Sequence, residues 1–536
     1  MRSAVVSVAA SFAALLVAGC GNLTPDAMTL EENVVRAQGD RKKIEQAYVP
    51  LNGPLSLSEA IARSLKYNYD GQLAKTEINM QEKQLNLALA QMLPRLAAGA
   101  GYDGRTSYNA AQSIDVFTQQ QSLTYSYSQQ PSFGTADLTL TWNALDVGLS
   151  FFQARQQGYR VLIAVERRRK VIDNIVRSTA TAYWRAKTAS ELLPRIEPML
   201  KTARQILEAS RAVSAQNLQA PLALLDFQQN MVIVLSELER IRSELSAARI
   251  ELATLINIPA GADIVYSGGL SESMEPQFGL NNHQLENIGL TLRPELRIEA
   301  YQKKIDQQDI YKEILKMLPG IGMIGGFNFN SNNLLYTNVW GEIGIRATFN
   351  LMNMIQGPRA IAVAKQAVDL SEERRIALSV AVLSQINLAI NEYANSLDTF
   401  KTAKDVDKVG MQIGRVADSV SEAGAQSEAD RIRRQLTVLT TRIARDRSQV
   451  RVLTALASIY SATGMDLVPA GAELQDLPTL TAQVEQAIVR WQAGQLPELP
   501  TPTAAPEPAP SSSEAPAAPA APVPAPAQPM HTAKAD

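Results

Sequence analysis

Ala136-Asp137-Leu138-Thr139-Leu140-Thr141-Trp142 alternates in polarity residue by residue, and Ile343-Gly344-Ile345-Arg346-Ala347-Thr348-Phe349 repeats the alternation in the second half of the chain. A β-strand turns successive side chains to opposite faces. Ala136, Leu138, Leu140 and Trp142 therefore share one face, opposed by Asp137, Thr139 and Thr141. Ile343, Ile345, Ala347 and Phe349 likewise oppose Gly344, Arg346 and Thr348. Stretches 96–104 and 321–329 have the same tendency, with Gly99, Gly101, Gly322 and Gly326 on or near the face that looks inward. Each stretch is close to the roughly 9–11 residues that a tilted membrane strand needs. One face suits lipid and the other water; a soluble antiparallel sheet is the competing reading of these segments alone. Four strands in lipid cannot leave their edges unpaired, so the membrane reading requires several subunits.

Helical runs flank each pair of strands. Leu57 to Leu93 ends at Met92-Leu93-Pro94 before the first pair, and Leu296 to Leu318 ends at Met317-Leu318-Pro319 before the second. After the first pair, a run from Asp146 passes Arg155, Val165, Ile172 and Tyr183 towards Pro194 and Pro198. It is expected to pause there and resume to about Ile256. After the second pair, a run starts behind Gly357-Pro358, turns back between 410 and 426 and ends at Thr463. Pro and Gly are scarce through 56–93, 150–190 and 359–408, and at about 1.5 Å per residue the last stretch alone spans roughly 75 Å. Small residues such as Ala154, Ala182, Ala360 and Ala367 let helices approach closely. Helix, strand, strand, helix thus occurs twice, as a diverged internal duplication. The polar connectors Ser107 to Ser132 and Asn330 to Asn338 are expected as external loops.

Cys20 is the only cysteine in 536 residues, which excludes a disulfide or cysteine metal framework. It follows Arg2, an apolar run from Ala4 to Val17, and Leu16-Val17-Ala18-Gly19. That run is short for a membrane-spanning helix and has the small-residue end of a cleaved export signal. The ending resembles a bacterial lipobox, in which the cysteine becomes the first mature residue and carries acyl chains. Ordinary cleavage at a nearby site is the alternative. Two or more chains anchor a protein stably, and Gly21 in place of an aspartate after the cysteine favours the outer membrane in that pattern.

Composition removes other functions. With 51 basic and 53 acidic side chains the formal charge is −2, so there is no basic field for nucleic acid. His283 and His531, the only histidines, are read as exposed bystanders in a connector and a tail. No phosphate-binding glycine loop, metal cluster or catalytic constellation is evident, so the expectation is no enzyme, no metal and no cofactor. Glu82, Glu166 and Glu251 are read as water-facing or salt-paired. Residues 501–536 hold ten prolines among alanines, a composition that favours extended, disordered chain.

The duplicated plan together with Trp142-Asn143-Ala144-Leu145-Asp146-Val147-Gly148 resembles the outer-membrane efflux channels of the TolC family, where such a segment leads from the second strand into the long helix. The lipobox matches the lipoprotein type. The resemblance covers about residues 55–465. It implies a mainly α fold with a membrane β-barrel: a homotrimer in which each subunit gives four strands to a twelve-stranded barrel, continued by a long α-helical periplasmic tunnel. It divides the chain into a signal peptide (1–19), a lipid-anchored N-terminal extension (20–55), a first channel repeat (56–265), a connector (266–290), a second repeat (291–466), a C-terminal periplasmic segment (467–500) and the Pro/Ala-rich tail (501–536).

The implied function is the outer-membrane exit duct of a tripartite efflux system, passive itself and driven by an inner-membrane pump through a periplasmic adaptor. A type I protein-secretion duct and a nonconducting lipid-anchored structural protein are the alternatives. Trp142, Asn143, Asp146 and Gly148 form the barrel-to-helix junction. The second junction, Phe349-Asn350-Leu351-Met352-Asn353, departs from it by lacking the acidic residue. The turn Ala212 to Pro221 lacks the family's usual glycine, whereas Glu422 to Asp430 keeps the glycine, serine and aspartate. On that pattern Asp430 falls on the first of two family gate aspartates and Arg433 takes the place of the second. The resemblance then implies a periplasmic gate closed by reciprocal Asp430–Arg433 contacts between subunits, unless the two pair one turn apart on a single helix. Asp418 and Arg415 are the second choice.

Overall fold

The computed structural model describes residues 27–216, 222–267, 281–422, 428–469, 471–493 and 495–496. Cys20, His531 and the Pro/Ala-rich stretch lie outside them. After α1 (Leu30–Gln46) the order of elements repeats. The first copy runs α2 (Leu57–Tyr67), α3 (Tyr69–Ala90), β1 (Arg95–Gly104), β2 (Ser132–Asn143), α4 (Ala144–Gln216) and α5 (Leu222–Leu255). The second runs α6 (Asn282–Leu292), α7 (Pro294–Lys316), β3 (Gly320–Asn330), β4 (Val339–Thr348), α8 (Leu351–Glu422) and α9 (Glu428–Thr463). A 3-10 turn at Ala472–Leu474 and α10 (Leu477–Gln492) follow.

The helix expected from Leu57 to Leu93 is broken at Asn68. Its backbone is extended and its side-chain oxygen accepts the Asp70 N–H at 2.9 Å, which caps α3. The second copy breaks at the equivalent residue, Arg293, because the following Pro294 disfavours helical backbone in the residue before it. Asn68 and Arg293 stand equally far from Pro94 and Pro319, so this feature belongs to the duplication.

The pause expected at Pro194 and Pro198 does not occur. α4 runs through both for 73 residues, about 110 Å. A proline inside a helix costs about 3 kcal/mol. Leu192, Ile196 and Leu200, interleaved with the two prolines, are no more than 2% exposed and share a core with Leu238 and Ile241 of α5 and Ile443 of α9. Burying three such side chains contributes roughly 4–9 kcal/mol, as much as the two prolines cost, and the rest of the core holds the helix continuous. α8 is almost as long, at 72 residues, and starts at Leu351 with Pro358 inside it, not behind that proline as expected. Asn350 makes the earlier start, its side-chain oxygen accepting the Met352 N–H at 3.1 Å. α5 packs along α4, and α9 along α8.

The strands form one antiparallel sheet in the order β1-β2-β3-β4, so the two hairpins join through β2 and β3. On the helical side, Ile61 of α2, Val176 of α4 and Leu480 and Val484 of α10 form a further core. Tyr460 stacks on Trp491 with centroids 3.9 Å apart and donates its hydroxyl to the Trp491 carbonyl at 2.5 Å. Arg63 is buried, paired with Glu59 at 2.8 Å, and donates to the carbonyls of Val49 and Pro50. That grip moors the segment leaving α1.

Candidate functional site

The sheet has two chemically distinct faces. Register pairs Leu96 with Leu140, Ala98 with Leu138, Leu138 with Phe327, Ala136 with Phe329, Trp142 with Met323, and Met323 with Ile345. Cross-strand partners share a face, so the apolar residues of all four strands collect on one side. None of the described residues covers them: Leu96, Phe327, Ile343 and Ile345 are 66%, 69%, 88% and 75% exposed. The other face carries Asp137, Thr139, Thr141, Asn328, Glu342 and Arg346, with Phe133, Ile324 and Trp340 its large apolar members. Its glycines make room for polar neighbours. A Cβ on Gly99 would collide with the Asp137 carboxylate, and one on Gly101 would come within 2.9 Å of the Thr135 hydroxyl. Among the described residues the outer edges of β1 and β4 have no partner strand.

The two ends of the sheet are built differently. At one end Asn332, 2% exposed, stitches the connectors together: its oxygen accepts the Gln130 N–H at 3.1 Å and its amide donates to the Ser128 carbonyl at 3.0 Å. At the other end lie the predicted junction residues. Asn143 accepts the Leu145 N–H at 2.9 Å, Asp146 sits in the first turn of α4, where the helix dipole favours an anion, and Trp142 is partly exposed. Asn350 repeats the Asn143 cap in the second copy, so the asparagine is common to both junctions although the acid is not. Gly148 and Gly357 allow close packing on the end of α7, since a Cβ at either would lie 2.6 Å from Leu315 or Met317.

Far along α8 from the sheet, Gly410 and Gly414 press against α9, where a Cβ would lie 2.6 Å from Thr441 and 2.9 Å from Val438. Asp407, 1% exposed, lies on the same side and is bound by Arg445 of α9 at 2.7 Å; Arg445 also holds Asp446 at 2.6 Å. Burial pushes the Asp446 carboxyl up, against the pull of Arg445. Away from α9, α8 exposes Val406, Val409, Ile413, Val416 and Val420. Their alternating three- and four-residue spacing is that of a coiled-coil seam. Sequence reasoning overlooked both features, although the Gly-x-x-x-Gly and heptad spacings are visible in the chain. Of the proposed gate, Arg415 is exposed on α8 and its carbonyl accepts the Ser419 hydroxyl at 2.9 Å. The side chains of Asp418, Asp430 and Arg433 lie outside the described residues.

A charged knot joins α4, α7 and the end of α9. Buried Glu166 pairs with Arg169 at 2.7 Å and Arg297 at 3.1 Å, and Arg169 continues to Asp466 at 2.9 Å. Lys170 and Arg293 both pair with Glu295, at 3.3 Å and 3.2 Å. Asp173 lines the adjoining cleft of about 350 Å³. Burial, reinforced by Asp466, pushes its carboxyl up to about 7. Glu251 is also salt-paired, with Arg185 at 2.9 Å; Glu82 is exposed, and the His283 side chain is 93% exposed. Among the described residues no group of three or more His, Cys, Asp or Glu side chains is placed to hold a metal ion.

No family model and no curated protein sequence matches the chain. Solved structures do. The outer-membrane channel OprN is 13% identical, over 76% of this chain and 90% of its own, with a TM-score of 0.57. The open state of the Neisseria gonorrhoeae MtrE outer membrane channel is 17% identical, over 76% and 88%, with a TM-score of 0.56. The Campylobacter jejuni CmeC outer membrane channel is 14% identical, over 80% and 89%, with a TM-score of 0.58. The chain has the fold of these channels.

Proposed function

We propose that three copies of the chain close a β-barrel in the outer membrane, continued into the periplasm by α4, α5, α8 and α9. The assembly is a passive exit duct. An inner-membrane pump supplies the free energy and a periplasmic adaptor connects the two, as in tripartite efflux. The observation that carries this reading is the sheet, with one apolar face uncovered across all four strands and both edges open. An isolated subunit would expose the face to water and, in lipid, leave backbone groups without partners. Joining β4 of one copy to β1 of the next removes every edge, sets the apolar face against hydrocarbon and encloses the polar face around water. The exposed α8 seam offers a helical contact to the neighbouring copy below the barrel. Acylated Cys20 provides a second hold on the membrane, and Asp430, Arg433, Asp418 and Arg415 are assigned to the periplasmic gate. The duct breaks no bond; it lowers the cost of moving polar cargo past hydrocarbon.

Purified protein reconstituted in planar bilayers tests the reading. The expected result is a trimer by light scattering that gives discrete conductance steps. A monodisperse monomer, or a trimer with no conductance in either voltage direction, overturns it.

A further inference from the structure

The charges of the sheet are sorted twice. All five charged side chains of the four strands, Arg95, Asp103, Asp137, Glu342 and Arg346, fall on the polar face and none on the apolar one. Along the strands the signs then separate. The ends that join the helices hold the bases: Arg95 is the first residue of β1, and Arg346 lies two residues from the end of β4. The acids lie six to eight residues from those same ends, Asp137 counted from Asn143, Glu342 from Thr348 and Asp103 from Arg95. In strands tilted by about 45° that is about 14–19 Å of barrel height.

The two arginines belong to opposite edge strands, yet both line one cleft of about 220 Å³ at the foot of the sheet, together with Thr141, Asn143 and Asp146. Asp146 is the only acid lining it, so two arginines against one aspartate leave the cleft positive. Both arginines are exposed, and among the described residues neither has a carboxylate partner. Closing the barrel sets β4 of one copy beside β1 of the next, about 4.8 Å away. Arg346 and the next copy's Arg95 then stand on adjoining strands, where their charges repel unless an anion lies between them. Three such clefts carry six arginines against three aspartates, at two and one per copy. The guanidinium fork matches carboxylate and phosphate oxygens in pairs, and a ring of arginines is how a pore favours anions. Asp103, Asp137 and Glu342 repel the same groups higher in the barrel, which confines their capture to the foot.

We infer that Arg95 and Arg346 of three copies form an arginine girdle at the foot of the barrel, which captures the oxyanion groups (carboxylate, phosphate or sulfonate) of organic cargo. The girdle rests on the duct of the preceding subsection, and its test separates the two. Single trimers are recorded in planar bilayers at about 0.1 M KCl, where a Debye length of about 10 Å leaves the field of the girdle within reach of a passing ion. Pyrene tetrasulfonate, a bulky organic anion, and inorganic tripolyphosphate are added in turn to both compartments. Each should block the current reversibly. Arg95→Gln with Arg346→Gln should raise the half-blocking concentration at least about tenfold, whereas Asp137→Asn should leave the block at least as strong. Arg346→Gln alone should give a smaller rise in the same direction, and it replaces the double variant if that one does not assemble. Conducting trimers that neither anion blocks, or a block that survives the arginine variants, overturn the girdle and leave the duct standing. Block by tripolyphosphate alone overturns the assignment of organic cargo. Trimers without conductance remove both inferences.

Discussion

Replacing Leu138 with arginine probes the assignment of sheet faces where it is most sensitive. Leu138 lies midway along β2 on the apolar face, with Ala98 and Phe327 as cross-strand partners. A strand tilted by about 45° climbs roughly 2.4 Å of bilayer per residue. Leu138 then sits about 12 Å from the Asn143 end, the middle of an apolar band about 25 Å tall, while Leu140 sits only about 7 Å in. Arginine costs about 2–4 kcal/mol at the midplane and about 0–1 kcal/mol near an interface. Three copies meet in one barrel, so Leu138→Arg removes about 6–12 kcal/mol per assembly if the sites act independently. Thr139 faces the other way and escapes that cost. The assay is the fraction of trimer that resists urea extraction from outer membranes, with folding into vesicles over a urea series to supply the free energy. The expected order of damage is Leu138→Arg, then Leu140→Arg, with Thr139→Arg close to the unmodified protein. Equal insertion of Leu138→Arg and Thr139→Arg, or the reverse order, refutes the reasoning.

The two junction caps act separately, so Asn143→Ala and Asn350→Ala should each destabilise by about 1 kcal/mol and the pair by their sum; thermal melting by circular dichroism measures this, and no loss from either variant rejects the caps. The folded protein favours protonated Asp173, because its carboxyl is raised to about 7, whereas the unfolded group titrates near 4. Stability therefore falls as pH rises from about 4 to about 7, by at most about 4 kcal/mol since part of Asp173 remains in water. Asp173→Asn should flatten that slope in denaturant midpoints measured from pH 4 to 8, and an unchanged slope rules Asp173 out as its source. Cysteines introduced at Gln119 and Asn333 should react with an impermeant thiol reagent on intact cells; labelling only after outer-membrane disruption inverts the topology. Asp430→Ala and Arg433→Ala should each raise single-channel conductance, with a smaller further rise in the double variant; unchanged conductance in assembled single variants removes the pair from the gate.

The strands were legible because alternation is a property of adjacent residues. The expected stretches 96–104, 136–142 and 321–329 all fall inside β1, β2 and β3, and 343–349 overlaps β4 up to Thr348. Asn68 and the prolines were harder. A proline signals a break through local geometry, yet α4 continues past Pro194 and Pro198 because Leu192, Ile196 and Leu200 are held by α5 and α9, which lie far away in sequence. Glu166, read from the sequence as water-facing or salt-paired, is salt-paired. That it is buried, and that Arg297 of α7 is one of its partners, depends on helices meeting.

From sequence alone came what a short span of chain dictates: the two faces of each strand, the helical runs and their duplication. These depend on dihedral preferences and side-chain periodicity over a few residues. Tertiary structure alone decided which residues stand opposite one another: Leu138 beside Phe327, Gly414 against Val438, Asp407 bound by Arg445. Such proximities arise only when distant segments bury surface together, and no local pattern encodes them. The uncovered apolar face has the same origin: alternation places Leu138 and Ile345 each on one side of its own strand, and the pairing of β1 through β4 merges those sides into one surface.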